Sequence, residues 1–337
     1  VNRRAAVERL IKHRNFPLSS PATSSRFVLA LNFGLVYVLW GSTYLAIDIA
    51  VEHIPPPLMC ATRFTIAGVI MLGYCLARGE RINYGARQLL QLAIVGNLLL
   101  MGGNLTLAYA ELHIATGLSA LLVASMPLWF VILDSWLLGH HRLSGRAIGG
   151  LALGFAGTIV LLWPQLISSG VDHRQLWWSI ALIGGALSWA LGSVLSKKWQ
   201  PGPATFAATA WQVFFAGVGN FVFAFAHHDF HDAVWTTRGV GAVAYLVVCG
   251  SLIGYTAYIY ILSHAPAAKV STYAYVNPVV AVFLGWLVLH ETIDRHILAG
   301  SAIVIASVIV VTTRAWSGKP ESYNRPKPPR TDDSFVV

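Results

Sequence analysis

Arg63 is the one cation that falls well inside a long apolar run of this chain, away from its ends. A guanidinium in mid-span costs roughly 2.5–3.5 kcal/mol on membrane-insertion scales, so it turns to a bundle interior or a water-filled cavity. There it can grip a carboxylate or phosphate with a two-pronged fork. The structural alternative is a pair with a backbone carbonyl or an acid such as Asp48. Further polar and aromatic residues recur at helical spacing in other apolar runs. Trp40 and Tyr44 are four apart and share a helix face, and Trp189 and Ser193 repeat that spacing. Tyr273 and Asn277 are four apart as well, and the break at Pro278 frees carbonyls beside them. Asn97 and Asn104, seven apart, are expected on one common face. Polar groups held in lipid point inward. Together they predict a central cavity with aromatic walls and a few hydrogen-bonding groups, the usual make-up of a ligand site. The substrate-binding set read from this pattern is Trp40, Tyr44, Arg63, Asn104, Trp189, Gln212, Tyr273 and Asn277. For any single residue, interhelical packing is the competing reading.

Other chemistry-bearing residues give weaker signals. Asp134 is the acid well inside its run and is the candidate proton site; pairing with a nearby Arg is its alternative. Asp48 and Glu111 are expected as exposed or cavity-mouth charges. Lys269 is expected to snorkel towards water. His227 and His231 would have metal-ligand spacing on a helix, but a solvated loop is the reading adopted, so no metal and no cofactor is expected. Cys60, Cys75 and Cys249 lie scattered in apolar runs, which argues for small packing residues and against a disulfide framework. Gly150/Gly154 and Gly250/Gly254 are close-packing pairs. They suit internal contacts, with a homodimer as the second reading.

The elements that position these residues are long apolar helices. Hydrophobic residues make up 56% of the 337 and charged ones only 11%, against about 25% charged in a soluble domain. The mean hydropathy is +0.62. A bilayer core of about 30 Å needs about 20 apolar helical residues. Ten such runs are read, at 27–50, 57–77, 88–110, 115–138, 144–164, 176–196, 203–226, 239–263, 267–289 and 296–314. The fold class expected is therefore an all-α integral membrane protein.

The two halves of the chain resemble each other. An offset of 151 residues places His113 on His264, Pro127 on Pro278, Gly103 on Gly254 and Leu138 on Leu289. Earlier in the chain an offset of 149 places Trp40 on Trp189, Arg63 on Gln212 and Ala67-Gly68 on Ala216-Gly217. Each half holds five runs, an odd number, so the second enters the membrane from the opposite side. That makes an inverted repeat, the usual plan of a secondary transporter with its site between the repeats. The expected organisation is a basic segment 1–26, a first repeat 27–164, a second repeat 176–314 and a disordered tail 315–337 rich in Pro and charge. Pro127 and Pro278 fall at matching places and are expected to bend their helices as paired hinges.

The net charge of +9 is explained by topology. With both termini inside, nineteen Lys and Arg lie on the cytoplasmic side, against Arg174, Arg238 and Arg295 outside. That is a strong positive-inside bias. The basic residues form no stripe on a folded surface, so nucleic acid is not an expected partner; a lipid bilayer and a small-molecule substrate are.

Trp40-Gly41-Ser42-Thr43-Tyr44 resembles the opening motif of the bacterial EamA-domain permeases of the drug/metabolite transporter superfamily. Similar family motifs are Pro57 to Arg63-Phe64 to Ala67-Gly68, and Ser119-Ala120-Leu121-Leu122-Val123-Ala124 leading into Pro127-Leu128-Trp129. In the second half they are Ser188-Trp189-Ala190-Leu191-Gly192-Ser193, Ala210-Trp211-Gln212 and Ser271-Thr272-Tyr273-Ala274-Tyr275-Val276-Asn277-Pro278. The resemblance covers about residues 27–314. It implies ten helices, an inner-membrane location and export or exchange of small metabolites such as amino acids or amphipathic drugs. The chain departs from many members in two places. Met126 and Asn277 stand where an acid precedes the helix-four and helix-nine prolines. Gly139-His140 lacks an acid that His290-Glu291 keeps. A coupling mechanism built on a carboxylate beside the proline is therefore not carried over.

The function expected is a secondary carrier of an amino acid or related amphipathic compound, working by alternating access. No Gly-x4-Gly-Lys-Ser/Thr loop is present to bind ATP phosphates. The alternative is a membrane enzyme acting on a lipid-linked substrate, which needs clustered acids or a metal at the membrane face; the acids here are scattered. A sensor or scaffold is a third reading, for which segments 1–26 and 315–337 are short.

Overall fold

The computed structural model describes residues 26–114, 119, 122–138, 145–168, 173–199, 206–289 and 295–312. Among them there is no strand. The helices are α1 (Arg26–Val51), α2 (Pro56–Ala77), α3 (Ala86–Glu111), α4 (Met126–Leu138), α5 (Gly145–Ser168) and α6 (His173–Trp199). The chain continues through α7 (Phe206–Ala226), α8 (Thr237–His264), the single turn α9 (Ala267–Val270), α10 (Tyr273–Leu289) and α11 (Arg295–Thr312). Six of the helices, α1, α2, α3, α6, α7 and α8, are long and apolar enough to cross a membrane. The segment 1–25, the tail 315–337 and the pairs Gly139-His140 and His290-Glu291 lie outside the described residues.

Local sequence sets the helix ends. The triple proline 55–57 opens α2, where a missing N–H costs nothing. Thr236 caps α8, its hydroxyl accepting from the Gly239 N–H at 3.0 Å. The outer faces remain apolar: Phe27, Trp136 and Phe225 are 70–78% exposed. In water such a surface would aggregate; in a lipid bilayer it meets its like, while the inner faces form one large buried cluster and a small second one around Tyr275.

Packing follows a regular plan. α2 lies along α7 and α5 along α11; α1 packs on α10 as α6 packs on α4; α3 packs on α6 as α8 packs on α1. At the α2–α7 contact two glycines, each on its own helix, let the backbones touch. A methyl on Gly68 would meet the Phe214 backbone at 2.6 Å, and one on Gly217 the Thr65 backbone at 2.5 Å. Gly150 also makes an internal contact, its carbonyl accepting from Ser307 Oγ at 2.7 Å.

Two features depart from regular helices. α3 is wound as a π-helix over Asn97–Gly103 and α8 over Leu246–Tyr255. π segments are rare and gather at functional sites. The wider winding breaks the expected common face of Asn97 and Asn104. The Asn97 amide donates to the Ala93 carbonyl at 2.9 Å and to the Phe215 carbonyl of α7 at 3.4 Å, while Asn104 faces Arg63. The expected helix at 267–289 is broken too, into α9 and α10 with a turn at 271–272. The prolines differ in setting. Pro278 stands inside α10, but Pro127 is the second residue of α4, where no interior hydrogen bond is lost.

Candidate substrate cavity

Seven of the eight residues read as substrate-binding line one cavity: Trp40 and Tyr44 from α1, Arg63 from α2, Asn104 from α3, Trp189 from α6, and Tyr273 and Asn277 from α10. The cavity and its mouth together hold about 680 Å³ of atom-free space, open solvent included. Both π segments contribute wall, through Leu100 and Gly103 on one side and Gly250, Ser251 and Tyr255 on the other. The eighth residue, Gln212, lies one layer behind. Its Oε1 accepts from the Tyr255 hydroxyl at 2.9 Å, and it is fully enclosed.

Arg63 is 3% exposed. Its Nε donates to Ser251 Oγ at 2.9 Å and its Nη1 to Asn104 Oδ1 at 3.3 Å. Nη2 rests against Gly250, where a methyl would come within 2.5 Å of it. Among the described residues no carboxylate lies within 4.0 Å of the guanidinium. Asp48, the acid considered as its mate, instead sits where the charges of Glu52 and Arg238 reach it. A charge held by neutral oxygens alone keeps most of its capacity to attract an anion.

The same cavity carries an aromatic wall. The Trp40 ring centroid is 5.3 Å from Trp189, 4.9 Å from Tyr258 and 5.1 Å from Tyr273. The contacts with Trp189 and Tyr273 are edge-to-face and the one with Tyr258 is tilted; such contacts hold the rings in fixed orientations. Each polar tip has a partner: Trp40 Nε1 donates to the Gly250 carbonyl at 3.1 Å, Trp189 Nε1 to the Tyr258 hydroxyl at 3.0 Å, and Tyr273 to Met126 Sδ. Asn277 Oδ1, by contrast, has no hydrogen-bond partner. The wall can therefore take an apolar group, the Arg63 side an anion, and Asn277 a donor.

The remaining candidates fall outside this cavity. Asp134 is partly exposed on α4, and its charge acts on Lys197 of α6. His227, His228 and His231 are exposed in the loop after α7, and the described residues bring no three metal-ligating side chains together. Lys269 is 8% exposed, with Nζ 5.4 Å from the Phe33 ring centroid. Glu111, expected as a mouth charge, is buried instead, because α1 and α6 close over the end of α3. Ser251, Tyr255 and Tyr258 were not singled out by sequence. A Ser or Tyr in an apolar run is a weak signal; the Gly250/Gly254 spacing was the only pointer to their neighbourhood.

Comparison with known proteins settles the class. The chain matches the EamA-like transporter family over residues 29–163 and again over 176–313. The chain belongs to that family. It is 35% identical over 278 residues to the uncharacterized inner membrane transporter YedA of Escherichia coli, covering 82% of this chain and 88% of that one. It is 22% identical over 295 residues to a probable amino-acid metabolite efflux pump of Salmonella typhimurium, covering 82% and 92%. A WAT1-related chloroplastic protein of Arabidopsis thaliana is 26% identical over 283 residues, covering 82% and 67%. One crystal structure shares the fold, with a TM-score of 0.71 at 22% identity over 86% of this chain and 98% of that one. The protein is thus a multi-pass inner-membrane member of a family of drug/metabolite transporters, and none of these names is that of an enzyme.

Proposed function

We propose that this protein exports or exchanges a small amphipathic carboxylate, an amino acid or a close relative, by alternating access around the Arg63 cavity. The observation that carries the reading is a buried guanidinium with no carboxylate mate among the described residues, in a cavity that aromatic rings also line. Arg63 takes the substrate carboxylate, Asn277 Oδ1 accepts from its ammonium group, and Trp40, Trp189 and Tyr273 cover its apolar part. The name of the Salmonella relative agrees with that substrate class.

Alternating access needs two halves that exchange shapes. In this reading ten helices span the membrane, five in the repeat 27–164 and five in 176–314, with both termini cytoplasmic. Three observations support it. The helix contacts are reciprocal, α1 on α10 matching α6 on α4. The π segments of α3 and α8 begin 149 residues apart, at Asn97 and Leu246. Gly68 and Gly217, paired by the same offset, occupy opposite sides of one contact.

The test is a screen of labelled amino acids in proteoliposomes, with Arg63→Ala alongside. Charge-assisted hydrogen bonds contribute about 1.5–3 kcal/mol, so the variant should bind the transported compound about 10–100-fold more weakly. Exchange of a carboxylate at the native rate by Arg63→Ala contradicts the clamp.

A further inference from the structure

Glu111 is the last residue of α3. It lies one turn beyond Leu107, which lines the cavity. Asn104, Leu107, Ala108 and Glu111 are spaced to share one helix face, so the face that brings Asn104 to Arg63 ends in this carboxylate. Glu111 is 9% exposed, and both Oε1 and Oε2 are buried without a hydrogen-bond partner.

Among the described residues, no ion pair is made to it. Asn104–Glu111 packs against α1, α2 and α6. α1 presents Tyr44 and Asp48, whose charged forms interact with Glu111, so these ionisable neighbours are themselves potential anions. α2 presents Cys60 and Arg63, and both are engaged by Asn104 Oδ1 at the far end of the shared face. α6 carries His173 and an exposed Arg174 at its start, and Lys197 and Lys198 in its last turn. In the turn just after α3, the His113 imidazole is held by the Tyr109 carbonyl at 2.9 Å. An isolated carboxylate buried beside a second acid costs several kcal/mol to keep ionised; taking up a proton removes the charge.

We infer that Glu111 is a proton-binding site, one turn from the substrate cavity, whose occupancy is linked to closure of this end of the bundle. This rests on the carrier reading for its purpose but not for its chemistry. With the end closed, as in this structure, Glu111 is a neutral carboxylic acid. When α3 parts from α1, water reaches the group; the O–H bond breaks, the proton leaves to water as hydronium and the carboxylate is hydrated. Closure reverses the transfer. By linkage, whatever favours closure favours proton uptake, and the converse holds. Asp134 suits this role less well, being partly exposed and within reach of the Lys197 charge.

The test uses the full chain in liposomes and needs no substrate. Infrared spectra at neutral pH should show a protonated-carboxyl C=O stretch that persists in Asp48→Asn and Asp134→Asn, disappears in Glu111→Gln and shifts in Glu111→Asp. Hydrogen–deuterium exchange of segments 45–54 and 107–114, corrected for intrinsic rates, should lose protection as pH rises in the native protein. In Glu111→Gln that protection should not depend on pH. A C=O band unchanged in both Glu111 variants, or an unchanged pH dependence in Glu111→Gln, overturns the inference. Neither outcome touches the carrier reading, and a failed amino-acid screen leaves both readouts intact.

Discussion

Arg63 on α2 donates from Nε to the hydroxyl of Ser251 on α8, 2.9 Å away. The bond joins the cation of one half to the π segment of the other. Its geometry depends on a missing side chain. Gly250 leaves room for Nη2, and a methyl there would lie 2.5 Å from Nη2 and 3.2 Å from Cζ.

Gly250→Ala should therefore displace the guanidinium without removing it. Affinity for a transported carboxylate is expected to fall about tenfold, since small misplacements of a clamp are costly. Gly73→Ala, which has nothing within 4 Å of the added methyl, should leave affinity unchanged. Calorimetric titration of the two purified variants checks the contrast.

The Tyr255–Gln212 bond, 2.9 Å long and buried, should show the asymmetry of paired polar groups in a core. Tyr255→Phe strands the Gln212 amide and should lower stability by about 1–2 kcal/mol. Tyr255→Phe with Gln212→Leu should recover part of that loss, because neither partner is then left unpaired. Unfolding in mixed detergent micelles reads both values.

Proline replacement should be unequal. Pro278 interrupts the backbone ladder inside α10, whereas Pro127 stands in the first turn of α4. Pro278→Ala restores an interior hydrogen bond and stiffens α10, so exchange should slow several-fold at normal expression. Pro127→Ala should have the smaller effect. Equal rates in both variants and the native protein remove the hinge idea.

Much of this site is legible in sequence because lipid leaves a polar side chain few places to go. Arg63, Asn104 and Asn277 could face only the interior, and the offset between halves pairs Trp40 with Trp189. What could not be foreseen depends on backbone winding and on how helices close. Asn97 and Asn104 keep a helical spacing on paper, but the π segment Asn97–Gly103 parts them. Glu111 ends an apolar run, where a charge is normally exposed; its burial follows from the packing of α1 and α6 on α3. Ser251 and Tyr258 look like ordinary members of an apolar helix until packing sets them beside Arg63 and Trp40.

The most direct measurement is access to the cavity from each face of the membrane. Ala186 is buried in its wall, and Ala186→Cys, with Cys60, Cys75 and Cys249 replaced, offers one thiol there. A membrane-impermeant thiol reagent should modify it in both right-side-out and inverted vesicles, and the transported amino acid should slow both reactions. Modification from one face alone, with none from the other, would contradict alternating access.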